Sequence, residues 1–228
     1  MKQLALGVRL RADAIFESYW PGSNAEIIAA LQAPGTAPIW LWGARGSGKT
    51  HLLQAVCAAA GESAAYFPLH RSLALPPDAL AGFEHTGVLC IDDADAVAGD
   101  PEWERALFRL FNATAELKTR LIFAAAAAPR QAGWSLDDWR SRAAACVVYQ
   151  IRELDDEGRI EALRLRAAQR GLRLPYDTSE YLLKRMPRDL HSLFGILDQL
   201  DEASLAAQRR LTIPFIREAL EKHARTKS

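Results

Sequence analysis

Little in this chain of 228 residues would serve a metal cage, a disulfide framework or a membrane anchor. Its three cysteines, Cys57, Cys90 and Cys146, stand far apart, and each sits in an apolar segment. They read as buried small hydrophobes rather than ligands or disulfide partners. The five histidines show no metal-type spacing, which argues against zinc. No run of about 18 apolar residues occurs, and the opening segment lacks a signal-peptide core. A cytoplasmic location without membrane contact is the expectation. Charge of one sign is not in excess either, with 28 Lys plus Arg against 28 Asp plus Glu. A DNA-binding domain normally carries a basic stripe. None is evident, so direct sequence-specific DNA binding is not expected.

What is present is an ordinary globular balance, 50% hydrophobic and 25% charged, together with one strong motif. Residues Gly43, Ala44, Arg45, Gly46, Ser47, Gly48, Lys49 and Thr50 spell a complete G-x-x-x-x-G-K-T phosphate-binding loop. The glycines permit backbone angles that a β-carbon forbids, so successive N–H groups can turn inward around a polyphosphate. Lys49 reaches the outer phosphates and the Thr50 hydroxyl can ligate Mg²⁺. The apolar segment 37–42 feeds the loop as a strand, and the helix expected over 50–60, with His51 at its start, turns its positive end towards the same phosphates. This strand–loop–helix setting makes a nucleotide with Mg²⁺ the expected ligand.

Apolar runs bounded by turn residues predict five short strands near 38–42, 63–68, 87–91, 120–126 and 145–150, with helices over 50–60 and 101–117 among them. Strand alternating with helix argues for a parallel, doubly wound sheet whose ligands lie at the carboxyl ends of the strands. After Ile151 the pattern turns wholly helical. Asp155 to Gly158 opens a helix through Arg170 that Gly171 closes. Asp177 or Thr178 caps a second, Arg188 opens a third, and Pro214 starts a fourth. The expected organisation is therefore a terminal segment (1–12), an α/β nucleotide-binding domain (13–152) and a small all-helical domain (153–228).

The strand Val88 to Ile91 ends in Asp92 and Asp93. A carboxylate at such a strand end can hold Mg²⁺, and its neighbour can orient an attacking water. We assign Asp92 to the metal and Asp93 to water activation, with the reservation that Asp is shorter than a glutamate at that position.

The extra strand between these two motifs and the helical domain after the sheet resemble the AAA+ ATPases, and more closely the DnaA family of replication initiators. The resemblance covers nearly the whole chain. It is most particular at Trp20-Pro-Gly, Cys90-Ile-Asp92, 182–185, 197–201 and 208–215. Phe16 to Asn24 is similar to the family's opening segment, which lies near the adenine. Within the family the chain resembles the short regulators, since it stops soon after the helical domain without a helix-turn-helix DNA-binding domain.

Several roles follow from that resemblance alone. Arg142 matches the arginine finger that reaches a neighbouring subunit's nucleotide, and Arg188 matches the residue that touches nucleotide from the helical domain. Gln3, Leu4 and Leu6 resemble a peptide that binds the DNA polymerase sliding clamp, although Gly7-Val8 departs from its apolar ending. ADP as resident ligand and the DnaA initiator as partner are implied too. A homodimer is compatible with the resemblance but has no residue-level warrant.

Where the family places polar residues near the γ-phosphate, this chain has Ala124 to Ala128. Alanine cannot polarise a phosphate or a water, so slow or absent intrinsic hydrolysis is expected. The regulatory reading competes with an autonomous ATPase, such as a helicase loader or remodelling protein, and with a nucleotide-stabilised scaffold.

Overall fold

The computed structural model of the protein describes residues 10–72 and 74–226. The chain divides after Glu153 into two compact units. The first is built on strands β1 (Ile39–Trp42), β2 (Ala64–Pro68), β3 (Val88–Asp92), β4 (Arg120–Ala125) and β5 (Val147–Gln150). All pair in parallel, in the order β2-β3-β4-β1-β5, which is the expected five-stranded parallel sheet. Helices α1 (Ala25–Gln32), α2 (Lys49–Ala60), α3 (Leu69–Ser72), α4 (Pro101–Leu117) and α5 (Asp137–Ala144) complete the unit.

Successive side chains on a strand point to opposite faces, and the two cores of this unit follow that period. Trp40, Phe67, Leu89, Ile91, Leu121, Phe123 and Ala125 pack with Trp103, Leu107 and Leu110 of α4 and Trp139 of α5. Ile39, Leu41, Cys90, Ile122 and Ala124 face the other way, against Ile27 and Leu31 of α1 and Leu52, Leu53, Val56 and Cys57 of α2. Both strand faces are therefore apolar, as in sheets covered on each side by helices. Trp40, Phe123, Trp134 and Trp139 form a chain of tilted and edge-on ring contacts with centroids 5.2–6.0 Å apart. Pairs of this kind contribute about 0.5–1.5 kcal/mol each beyond area burial. The three thiols are free and buried, and burial pushes that of Cys146 up to about 12.

Three helices of this unit, α1, the one-turn α3 and α5, are not evident from periodicity. α1 and α5 have eight residues each, and α5 buries only Trp139 and Ala143, one turn apart. α4 is bounded as its sequence suggests. The Asp100 carboxylate accepts from the backbone N–H of Glu102 and Trp103, Pro101 occupies the first turn, and Lys118 closes the helix at φ 59°.

The second unit holds α6 (Asp156–Gln169), α7 (Tyr176–Arg185), α8 (Leu190–Ala207) and α9 (Ile213–Thr226) around Leu163, Ala167, Leu182, Leu197, Phe215 and Ile216. Asp155 caps α6 through the N–H of Gly158, and Gly171 follows that helix at φ 74°. Two boundaries differ from expectation. α7 begins at Tyr176 behind Pro175, so neither Asp177 nor Thr178 caps it. α8 is capped by Asp189 through the Ser192 N–H, which leaves Arg188 just outside the helix. Among the described residues no helix is long and apolar enough to cross a membrane.

One buried charge holds the first unit's loops together. Glu104 of α4 is wholly buried, and its carboxylate accepts from Gly99 N (2.7 Å), Ser135 N (3.0 Å), Ser135 Oγ (3.0 Å) and Leu136 N (2.6 Å). Leu136 is the residue that precedes α5. Hydrogen bonds to a charged group contribute about 1.5–3 kcal/mol, and buried donors left unpaired cost about 1–3 kcal/mol. Glu104→Gln would turn an amide NH₂ towards backbone donors. The substitution should lower unfolding stability by about 2 kcal/mol or more in urea, read by tryptophan fluorescence, since all six tryptophans lie before Glu153. An unchanged urea midpoint would contradict this role.

Candidate nucleotide site

The loop between β1 and α2 is shaped by its glycines. Gly46 and Gly48 have φ of +83° and +96°, a region that favours glycine. Gly48 is also hemmed in, because a β-carbon there would lie 2.6 Å from Cε2 of Tyr19. At Gly43 it would lie 2.7 Å from the Ile151 carbonyl oxygen and 3.1 Å from Ser47 Oγ. The Ser47 hydroxyl is buried without a hydrogen-bond partner. A cradle closed to β-carbons at Gly43 and Gly48, with an orphaned hydroxyl in it, fits an anionic ligand held by backbone N–H groups.

Lys49 begins α2, and its Nζ donates to the carbonyls of Gly43 (2.7 Å) and Ala44 (2.8 Å). An ammonium has three donors, so this anchoring leaves one for a phosphate oxygen. Burial lowers the Lys49 pKa from its ordinary value, while the charges of Asp92, Asp93 and Asp95 act to raise it. Arg45 is exposed on the loop.

The Thr50 hydroxyl donates to Asp92 Oδ2 at 2.6 Å. Asp92 is buried at the carboxyl end of β3, and its Oδ1 accepts from the Asp93 N–H at 3.0 Å. Thr50 and Asp92 are hard oxygen donors in contact, a set that suits Mg²⁺, which takes few protein ligands and keeps several waters. Asp93 itself has φ 54°, an uncommon conformation for a residue other than glycine. Burial, followed by the charge of Asp92, raises its carboxyl above the usual carboxylate range, and His70 opposes the shift.

The segment 15–19 packs against this loop. His51 Nε2 lies 3.0 Å from both Ser18 Oγ and the Ile15 carbonyl, and the Tyr19 hydroxyl donates to the Ser47 carbonyl at 3.3 Å. Burial pushes the Tyr19 hydroxyl up to about 12. Nearby, Asn24 Nδ2 donates to the Arg152 carbonyl, and its Oδ1 accepts from the Arg152 N–H, both at 2.9 Å. The start of the unit is thereby fastened to the exit of β5.

At the carboxyl end of β4, the alanine run lies between the two motifs. Trp42, which precedes the loop, pairs with Ala125, and Ile91, which precedes Asp92, pairs with Phe123. The backbone N–H groups of Ala126 and Ala127 donate to Asp95 Oδ2 at 2.9 and 3.3 Å, and Trp40 Nε1 donates to the Ala127 carbonyl. A carboxylate therefore binds the backbone here, beside side chains that offer only methyl groups.

The remaining candidates belong to other elements. Arg142 is exposed on α5, because Trp139 and Ala143 take the buried side, and its guanidinium lies 5.8 Å from the Phe108 ring centroid. Phe108 is four residues along α4 from Glu104, so one helix face holds both the start of α5 and the arginine it displays. Arg188, in the helical unit, is largely exposed and pairs with Asp156 at 3.4 Å. Gln3, Leu4 and Leu6 fall outside the described residues. Motif reading did not single out Tyr66, Asp95, Glu104 or Phe108. Their roles depend on partners far away in sequence, and only the β2–β3 register places Tyr66 on the same face as Asp92.

The parallel sheet, the strand–loop–helix cradle and the acidic end of β3 define a P-loop protein of the AAA+ class. Residues 39–119, from β1 through α4, match a family model described as RNA helicase. Residues 156–220 match the model described as Hda, lid domain. Domain III of the Thermotoga maritima replication initiation protein DnaA is similar in fold, with a TM-score of 0.77 at 20% identity over 94% of this chain and 98% of that one. AMPPCP-bound DnaA from Aquifex aeolicus gives 0.67 at 22% identity over 84% and 66%. The Thermotoga maritima RuvB Holliday junction branch migration motor gives 0.60 at 14% identity over 81% and 61%. The chain thus carries a match to the Hda lid domain over its helical unit and shares the fold of DnaA domain III.

The two loop glycines should respond differently to alanine. At Gly46 a β-carbon meets nothing within 4 Å, so only the positive φ opposes it. At Gly48 the Tyr19 ring must also move. Gly46→Ala should weaken ADP binding by about tenfold or less, the effect of roughly 1 kcal/mol of backbone strain, and Gly48→Ala by clearly more. Equal or reversed effects in calorimetric titration would contradict the packing described.

Proposed function

We propose that this chain is a nucleotide-binding regulator that stimulates ATP hydrolysis by DnaA while docked on the DNA-loaded sliding clamp. The observation that carries the reading is a contrast within one unit. Arg142 is displayed on the surface of α5 by buried Trp139 and Ala143, whereas the chain's own β4 ends in alanine beside the phosphate loop. The loop 43–50 and His51 would hold ADP or ATP, with Thr50 and Asp92 on Mg²⁺ and Arg188 as a further nucleotide contact. When bound, Mg²⁺ would neutralise phosphate charge.

A guanidinium is planar, permanently charged and able to make paired hydrogen bonds to phosphate oxygens. Offered to a neighbouring subunit's nucleotide, Arg142 would stabilise charge on the transferring phosphoryl group, an effect worth about 10³–10⁵ in rate where such residues have been measured. Its guanidinium lies over the Phe108 ring of α4. The likeness to DnaA in fold and to the Hda lid supports DnaA as the partner.

The other reading is an autonomous ATPase. It is favoured by the assembly of Lys49, Thr50, Asp92 and Asp93 at one strand end. The alanine run opposes it.

Arg142→Ala should bind nucleotide and clamp as the parent does, yet lose about a hundredfold or more of the stimulation of phosphate release by DnaA. Undiminished stimulation would sink the assignment of Arg142. Removal of residues 1–8 should abolish co-elution with the clamp, and retained binding would take Gln3, Leu4 and Leu6 out of the site.

A further inference from the structure

Asp92 has a partner that neither sequence motif contains. Tyr66 lies on β2 at the pair position of Cys90, and Pro68 pairs with Asp92. Alternation along the two strands puts Tyr66, Cys90 and Asp92 on the face covered by α2. There the Tyr66 hydroxyl donates to Asp92 Oδ2 at 2.7 Å, the same oxygen that accepts from Thr50 at 2.6 Å. Oδ1 accepts from the Asp93 N–H. A carboxylate offers about four acceptor positions. Three are taken here, by donors from β2, from the first turn of α2 and from the chain after β3.

The direction of the tyrosine hydrogen bond is also set. A carboxylate only accepts hydrogen bonds, so the phenol proton goes to Asp92.

We infer that Tyr66 is a positioning residue for the magnesium site. By saturating Oδ2 together with Thr50, it fixes the rotation of the Asp92 carboxylate, turning the remaining Oδ1 position to a metal-bound water and the Thr50 oxygen to the metal. Partners of this outer kind set ligand orientation, and their loss typically costs about 10–100-fold in metal affinity. The inference rests on the nucleotide-binding reading above.

The test is calorimetric titration of ADP into the full chain, with Mg²⁺ and with EDTA, for the parent, Tyr66→Phe, Asp92→Asn and the double variant. Phenylalanine keeps the ring and removes only the hydroxyl. The parent should bind ADP more tightly with Mg²⁺ than with EDTA. Tyr66→Phe should reduce that Mg²⁺ enhancement by about tenfold and leave the affinity in EDTA within about twofold. In the Asp92→Asn background, Tyr66→Phe should change nothing further. Equal loss with and without Mg²⁺, or a full enhancement in Tyr66→Phe, would overturn the inference while the nucleotide reading stands. Failure of the parent to bind ADP in either buffer would overturn that reading, and this inference with it.

Discussion

The constraint on which the nucleotide unit depends is the hold on Asp92. One buried carboxylate gathers hydrogen bonds from Tyr66 on β2, Thr50 at the start of α2 and the N–H of Asp93. These donors lie in three separate stretches of chain, and they meet because a parallel sheet presents the carboxyl ends of neighbouring strands along one edge. Once the start of α2 is tied to that edge, the loop before it has a fixed span. Gly46 and Gly48 then take up positive φ, and Tyr19 at Gly48 and Ile151 at Gly43 leave no room for a β-carbon. Lys49, anchored on two carbonyls of the same loop, gives the cradle its charge.

The other half of the unit is organised around a second buried carboxylate. Glu104 binds the loop after β3 and the approach to α5, and Phe108 on the same helix receives the Arg142 guanidinium. Ligand holding and arginine display are thus built on different helices, α2 and α4, which cover opposite faces of one sheet. Asp95 accepts from the alanine segment that ends β4. The polar groups at that strand end are backbone amides already engaged, which suits a site that retains nucleotide rather than splitting it.

Much of the architecture was legible from local pattern. Five apolar runs became five parallel strands, because strands buried on both faces are continuously apolar, although the edge strand β5 is largely exposed. The phosphate loop was legible because its chemistry is local, and Asp92 because an apolar strand ended in a carboxylate. α5 was not, since eight residues with only Trp139 and Ala143 buried leave too short a stripe. Glu104 looked like any acid on the first turn of a long helix, and its burial depends on chain more than thirty residues onward. Tyr66 needed the β2–β3 register, a tertiary fact. The role proposed for Arg142 rests on family resemblance, and the structure adds the reason that this side chain is exposed.

The central claim is that this chain holds nucleotide while the hydrolysis that matters takes place on a partner. Phosphate release from ATP by the chain alone, with DnaA, and with DnaA on DNA-loaded clamp tests it most directly. The account predicts negligible turnover by the chain alone and rapid turnover only in the complete mixture. Multiple turnovers by the isolated chain, unchanged when DnaA and clamp are added, would contradict it.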